Sequence, residues 1–590
     1  GAEEYRSVES MPMLAALVER ELGVRTAVCY ALDESGAIDP NRRDHIAGLE
    51  VLEEADLLVL FTRFRNLPQE EMAWIDGFVE AGKPVVGFRT STHAFAYDGE
   101  DPRAAIYNDA WPERVFGASW VTHHGHFDDG HKPLTRVEVA PGALENAVLR
   151  GVEPFDAYSW LYHVQGGGDT LPEYSTELLF GEALRSNHVG NEERFPPIQP
   201  VAWTRNLRTD GGLSRVFFTT LGHPYDFRDA NMRRLALQGI AWAMGNEAEI
   251  PEQGFDVAVE GYAPTNSGFG QVYRSHVYPE LPQRGGAGQV QIDEGEVIAV
   301  VGGGFADRLR FHPRVEAALR VRLGGRAIDL RNLGWSGDTV TRRDWNGATV
   351  VAGGAGDGLT RPNGAPERDD WLAEIGADTL LACFGMGESF AGEEGLAGFR
   401  EDLEAWLDTY RQRSFNGGQS ALQIVLVGPT PHEDLGAPLP DGADHDADLV
   451  RYSAVMAEVA AERDLHFIDL YPGLRAAVDV GAGPLTLDGV QLNEAGYAVA
   501  ATELATGLGL PRVEATAVEA ALGQLGPLIE AKDRLWFGRF RTLNSEYVHG
   551  GRYEPFGPDD FPQRFEALAH KLAAADDSID AAAMQLGGER

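Results

Sequence analysis

The chain has 590 residues, too many for one hydrophobic core, so two or three domains are expected. With 43% hydrophobic and 24% charged residues it fits neither the disordered nor the membrane class, and no stretch approaches the ~18 uninterrupted apolar residues of a spanning helix. The 50 Lys+Arg against 91 Asp+Glu give a net charge of −41 with no offsetting basic stripe. That balance argues against nucleic acid and anionic membrane faces as partners, and reads as a solubility device suited to a salty habitat.

Residues 1–7 (GAEEYRS) show no signal-peptide pattern and run straight into an amphipathic segment over 8–22. A doubly wound domain opens with a strand. The expectation is therefore a short N-terminal piece missing ahead of Gly1 or removed by processing; with room for a lost export signal, an exported location is favoured over a cytoplasmic one. Helical periodicity follows over 8–22, 68–81 and 231–244, with short apolar strands at 24–31, 56–61, 84–88, 201–204 and 215–219. Such alternation predicts a mostly parallel sheet covered by helices on both faces.

Residues 250–293, rich in Gly, Pro, Ser and Tyr, read as an extended linker packed along a surface. A second alternating set follows, with strands at 297–301, 327–330, 379–384, 423–427 and 466–470 and helices near 306–321, 396–410, 446–461 and 494–508. Residues 343–370 form a Gly-rich stretch expected to be a long loop over one end of the sheet. Two helices, 514–537 and 562–584, read as a packed appendage. The expected class is α/β: two doubly wound parallel-sheet (flavodoxin-like) domains in tandem with a helical C-terminal tail. The boundaries are 1–249, 250–293 for the linker, 294–510, and 511–590 for the appendage. Cys29 and Cys383 fall in strands of different domains, so no disulfide between them is expected.

Four segments of the second domain stand at strand ends, where α/β sheets place their sites: GGGF at 302–305, NLGWSGD at 332–338, GMGES at 385–389 and DGVQLN at 488–493. Their order and spacing resemble the SGNH or GDSL hydrolase family over roughly 294–510, with NLGWSGDT and DGVQLNEAGY the most specific parts. That resemblance implies a nucleophilic Ser closing the first block, a Gly and an Asn as oxyanion donors, and an Asp-x-x-His base. Carried over by position, the nucleophile falls on Gly304, the oxyanion Asn on Gly387 and the base on Gln491; Gly334 and Asp488 keep the family's residue types. A glycine cannot attack and an amide cannot take a proton near neutral pH, so the resemblance implies a scaffold without ordinary Ser-His esterase chemistry. A rim of Trp335, Asp338, Glu388, Ser389, His432 and Asn493 is left as candidate ligand-binding residues, with Ser336 and Asp338 as caps and Trp335 as core the alternative. A dinucleotide reading of Gly302–Gly304 fails because the third glycine position holds Asp307.

In the first half, EEYRSVESMPML, LLVLFTRFRNLP, GKPVVGFRTSTHAF, WVTHHGHF and VFFTTLGHPYDF resemble ThuA-like domains, named for trehalose utilisation and related in fold to class I glutamine amidotransferases. The turn at 89–93 (RTSTH) has no Cys, which excludes glutamine hydrolysis. Arg63, Arg89, His93 and His223 are read as the floor of a sugar-sized polar pocket. His123, His124 and His126 are weak metal candidates, since adjacent and i+2 histidines on an extended segment do not all converge; no cofactor is called for. The sequence leaves three functions in competition: a carbohydrate- or glycan-directed binding or scaffolding protein, an enzyme whose chemistry lies in the ThuA-like half, and a residual esterase using Ser389 or His432. The partner expected is a carbohydrate or other small polar ligand, with homo-oligomerisation or assembly left open.

Overall fold

The computed structural model describes residues 3–588 except 126–129, 131, 164–170, 260–261, 263, 265–274, 285–288, 342–343, 346–347, 350–367, 411, 482, 543–547, 549–553 and 555–559. It divides into two units, Gly1–Ser275 and His276–Arg590.

In the first unit, α1 (Ser7–Leu22) ends at Gly23, whose φ of 64° lets its N–H close the last turn on Glu19. Strands β1 (Leu58–Leu60) and β2 (Val85–Phe88) flank α2 (Gln69–Glu80); α3 (Ala104–Tyr107) and α4 (Ala110–Phe116) follow. Next come β3 (Thr122–His124), β4 (Thr135–Val139), β5 (Phe155–Ala157), β6 (Leu161–His163), β7 (Ser175–Ala183), β8 (Ile198–Thr209) and β9 (Gly212–Thr219). The main sheet has the order β1-β2-β9-β8-β7-β4-β5. Its first three strands run parallel, as the alternation predicts, and the rest extend it antiparallel. The switch has a local cause: Thr209 pairs with Gly212 across Asp210-Gly211, a two-residue hairpin turn that returns the chain beside itself. Helix α5 (Ala230–Ala243), capped by the Asp229 carboxylate, packs its apolar face on this sheet.

One expected strand is corrected. Residues 24–31 form no ladder; a cavity of about 560 Å³, lined by this segment, α1 and β1, lies where a strand neighbour would sit. Cys29 is accordingly only half-buried, while Cys383 is a buried strand residue; both are free thiols. Residues Ile250, Phe255 and Val257 join the core of the first unit.

The second unit is built on β10 (Glu296–Gly302), β11 (Ile328–Asn332), β14 (Thr379–Cys383), β15 (Gln423–Val427) and β16 (His466–Ile468), all parallel in the order β11-β10-β14-β15-β16. This is the doubly wound arrangement. One face carries α7 (Arg314–Arg322) and α12 (Glu494–Gly507), the other α9 (Leu396–Tyr410) and α10 (Ala443–Glu462), with α11 (Tyr471–Asp479) beyond β16. The helix expected over 306–321 is broken: Pro313 separates a short α6 (Gly304–Arg308) from α7. Within 343–370, β12 (Asp344–Trp345) pairs with β13 (Ala348–Thr349) and α8 (Arg368–Ile375) begins before the expected loop ends; 350–367 lie outside the described residues.

The two tail helices, α13 (Ala515–Phe540) and α14 (Asp560–Gly588), pack on each other and against α7. Buried ions pin them: Lys532 meets Glu316, and Arg331 Nη2 meets Asp576 at 2.6 Å. Trp536 donates its indole N–H to the Asn332 carbonyl at 2.7 Å. Among the described residues no helix is long and apolar enough to cross a membrane.

Candidate functional sites at the strand ends

In the first unit the carboxyl ends of β1, β2 and β9 deliver Arg63, Arg89 and His223, the place where parallel strands present their sites. The backbone there is unusual: Phe64 and Arg89 hold φ of 51° and 40°, a region non-glycine residues avoid and that concentrates at functional sites. The Arg89 side chain is buried, with Nη1 donating to the carbonyls of Trp160 (3.2 Å) and Thr220 (3.0 Å). Its guanidinium lies 4.3 Å from the Tyr162 ring centroid and 5.3 Å from that of Tyr5. Arg63 pairs with Glu4 at 2.5 Å and also faces Tyr5, at 5.6 Å. His93, last residue of the turn after β2, is ringed by Phe64, Trp120 and Tyr162 at 4.9, 5.2 and 6.0 Å, its Nδ1 3.1 Å from the Thr92 hydroxyl. Burial, then Arg63 and Arg89, push its pKa well below the usual histidine value, so the imidazole is neutral. Burial likewise raises the Tyr5 phenol, with Tyr162 adding to it.

His223 sits on a turn fixed from beneath. The Asp226 carboxylate accepts from the Ser159 hydroxyl (2.5 Å) and from the backbone N–H groups of Tyr158, Gly222 and His223 (2.7, 3.0 and 3.0 Å). The Tyr158 ring stacks on the His223 imidazole at 5.8 Å. Of the histidine run, His123 lies against Trp160 (4.7 Å), whereas Nδ1 of the next residue, His124, meets the Ser186 hydroxyl at 2.7 Å. As neighbours on β3 the two face opposite sides. His126 lies outside the described residues.

In the second unit the blocks at 302–305, 332–338 and 385–389 meet, and most polar groups of the four strand-end blocks hold backbone. A Cβ at Gly302 would lie 2.0 Å from the Cys383 carbonyl, and its φ is 128°, so only glycine fits. The loop 335–340 lies over the next positions: a Cβ at Gly303 would meet the Asp338 carbonyl at 2.9 Å, and one at Gly387 the Thr339 methyl at 3.0 Å. Gly304, by contrast, has nothing within 4 Å of a Cβ. Asp338 is buried and paired with Arg368 at 3.0 Å. Glu388 accepts from the N–H groups of Val340 (2.8 Å) and Gly385 (2.9 Å), and burial raises its pKa. Trp335 is covered by the Arg541 guanidinium at 3.8 Å. Asn493 caps α12, accepting from Ala495 and Gly496. Exposed Asp488 accepts from the backbone of Val490 and Gln491, closing its own turn.

Ser389 and His432 do come together, through a residue that sequence reasoning misses. The Ser389 hydroxyl is 2.8 Å from both the Met386 carbonyl and His445 Nε2, and His445 Nδ1 is 2.9 Å from His432 Nδ1. With the serine proton on the Met386 carbonyl, which only accepts, the tautomer that completes the chain has His445 Nε2–H donating to Ser389 and His432 donating to His445. This polarity is the reverse of a base drawing a proton from serine. His445 sits on α10 with no motif around it; its stacking on exposed Phe390 at 4.0 Å is visible only in three dimensions. The same holds for Tyr162, Trp120 and Trp160 in the first unit.

The molecule thus presents two α/β units, each with polar residues gathered at the carboxyl ends of parallel strands. Residues 26–243 match the family model for trehalose utilisation (ThuA), and residues 299–499 that of the GDSL-like lipase/acylhydrolase family. The chain therefore joins a ThuA domain to a GDSL-like domain. No curated protein matches it in sequence. Among solved structures it is similar to a GDSL-like lipase from Parabacteroides merdae (19% identity, 38% of this chain and 100% of that one, TM-score 0.29). It is also similar to an acetylxylan esterase from Geobacillus stearothermophilus, solved as a catalytic mutant (17% identity, 38% and 100%, TM-score 0.28). A third is a gut microbial diltiazem-metabolizing enzyme (17% identity, 38% of this chain, TM-score 0.27), of whose length this chain spans about half, 49%.

Proposed function

We propose that the protein is directed at carbohydrate or glycan, and that its GDSL-like domain serves in binding or scaffolding without Ser-His ester hydrolysis. The observation that carries this reading is the set of residue types at the positions where the family resemblance places its chemistry, with the loop 335–340 packed against Gly387 and nothing near Gly304. Where the family resemblance calls for nucleophile, oxyanion donor and base, the chain has Gly304, Gly387 and Gln491. Nucleophile and base act as a unit, so losing both removes most of the rate. The hydrogen-bond polarity of Ser389, His445 and His432 supplies no substitute base. Hydrolysis of p-nitrophenyl acetate by the full chain is expected to equal buffer. Turnover above buffer that disappears in Ser389→Ala or His445→Ala would overturn the reading. Calorimetric titration against a broad sugar panel tests the other half: silence across the panel removes the carbohydrate assignment.

A second reading, chemistry in the ThuA domain, is favoured by one arrangement: neutral His93 beside Arg63 and Arg89 beyond the strained turn. A neutral imidazole can hydrogen-bond a reacting oxygen while adjacent guanidiniums hold developing negative charge. On this reading His93→Ala abolishes turnover of a responsive sugar, while Gly304→Ser leaves it unchanged.

A further inference from the structure

We infer that the ThuA-domain site takes an anionic sugar, a monosaccharide whose oxyanion is held by Arg89. This rests on the carbohydrate reading above and narrows its substrate class. Arg89 is 2% exposed, and its Nε is buried with no hydrogen-bond partner. Its guanidinium makes no ion pair among the described residues; its bonds go to two neutral carbonyls. A buried cation costs several kcal/mol in water-free surroundings unless an anion faces it.

The acids of this region are engaged elsewhere. Glu4 is held by Arg63, and its field reaches Arg89 without a direct pair. Asp226 acts on Arg89 only at a distance, its oxygens filled by Ser159 and by the N–H groups of Tyr158, Gly222 and His223. His93 adds no countercharge, because an imidazole is neutral or cationic.

The backbone strain at Arg89 points the same way. A φ of 40° in a residue that makes no ion pair is what a fold maintains to hold a group in place for a ligand. The Tyr162 and Tyr5 rings clamp the guanidinium, which fixes its donors for a planar carboxylate or a phosphate. Trp120 and Trp160, packed beside His93 and His123, offer apolar faces for a sugar ring.

The test is calorimetric titration of the full chain with glucuronate, glucose 6-phosphate and glucose, in wild type, Arg89→Met and Arg63→Gln, with thermal unfolding reporting whether each variant folds. Arg63 is the control for folding, since its side chain is 27% exposed. The wild type is expected to bind glucuronate or glucose 6-phosphate at least about tenfold more tightly than glucose, the range of a charge-assisted hydrogen bond. The preferred anion says whether carboxylate or phosphate is the source. Arg89→Met should reduce that preference to about one with glucose binding kept, and Arg63→Gln should weaken it in part. Equal affinity for glucose and both anions in the wild type overturns the anion assignment and leaves the carbohydrate reading standing. No binding of any sugar overturns the carbohydrate reading of this site and the inference with it. An anion preference unchanged in Arg89→Met overturns the role of Arg89, whatever Arg63→Gln does.

Discussion

Gly303→Ala, set beside Gly304→Ser, measures how firmly the loop 335–340 rests on the turn after β10. At Gly303 φ is −80°, so alanine brings no left-handed strain, although the ψ of −141° lies outside the regions that L-residues favour. The new methyl lies 2.9 Å from the Asp338 carbonyl, a backbone atom that cannot swing aside. The loop is tied by Asp338 N–H to the Trp335 carbonyl (2.9 Å), by the buried Asp338–Arg368 pair and by Val340 N–H to Glu388. Overpacking of a fixed neighbour costs about 1–3 kcal/mol. The expectation is a loss of ~1–3 kcal/mol, or ~1.5–4.5 °C in the melting transition of a unit as long as His276–Arg590. Gly304→Ser meets nothing within 4 Å and should stay within ~0.5 kcal/mol of wild type. Differential scanning calorimetry of the full chain reads both. Equal midpoints for the two variants, or a raised midpoint for Gly303→Ala, would show that the loop yields freely at Gly303.

Two further outcomes follow from buried ionisable groups. Burial first, and His188 second, push the His124 pKa down to about 4. A depressed histidine contributes stability that is complete above the unfolded value of ~6.5 and is lost as pH falls through the folded value. The first unit should therefore lose stability between pH ~6.5 and about 4, and less steeply in His124→Gln; parallel calorimetric pH profiles would refute this. Lys532 is wholly buried against Glu316 and Asp533, so Lys532→Met strands negative charge and should cost ~3–5 kcal/mol in urea unfolding of the second unit. An unchanged midpoint would mean that the tail helices are not held by this pair.

How far the sequence reaches can be seen at particular residues. Alternating apolar runs specify strands, and their order specifies the parallel five-stranded sheet of the second unit, because sequential β-α connections leave few alternatives. The same logic applies in the first unit, where the apolar runs 56–61, 84–88 and 215–219 leave Arg63, Arg89 and His223 just past strand ends. It stops at the antiparallel half of that sheet, which only the Asp210-Gly211 hairpin and long-range pairing determine. It also fails at residues 24–31, an apolar run that is a strand only if a neighbour supplies hydrogen bonds. Asn493 and Asp488 look like ligand groups by position; the fold has them closing a helix and a turn, since Asn and Asp serve local backbone as readily as ligands.

The residue types at Gly304, Gly387 and Gln491 are a property of the sequence alone, because packing cannot give a residue a hydroxyl or an imidazole that its type does not carry. What surrounds these positions is decided only in three dimensions, where the Asp338 carbonyl and Thr339 methyl approach Gly303 and Gly387 across more than thirty residues of chain while Gly304 stays open. The same is true of Arg89: its identity is written in the sequence, but its burial among Tyr5, Tyr162 and neutral carbonyls arises from packing between distant segments.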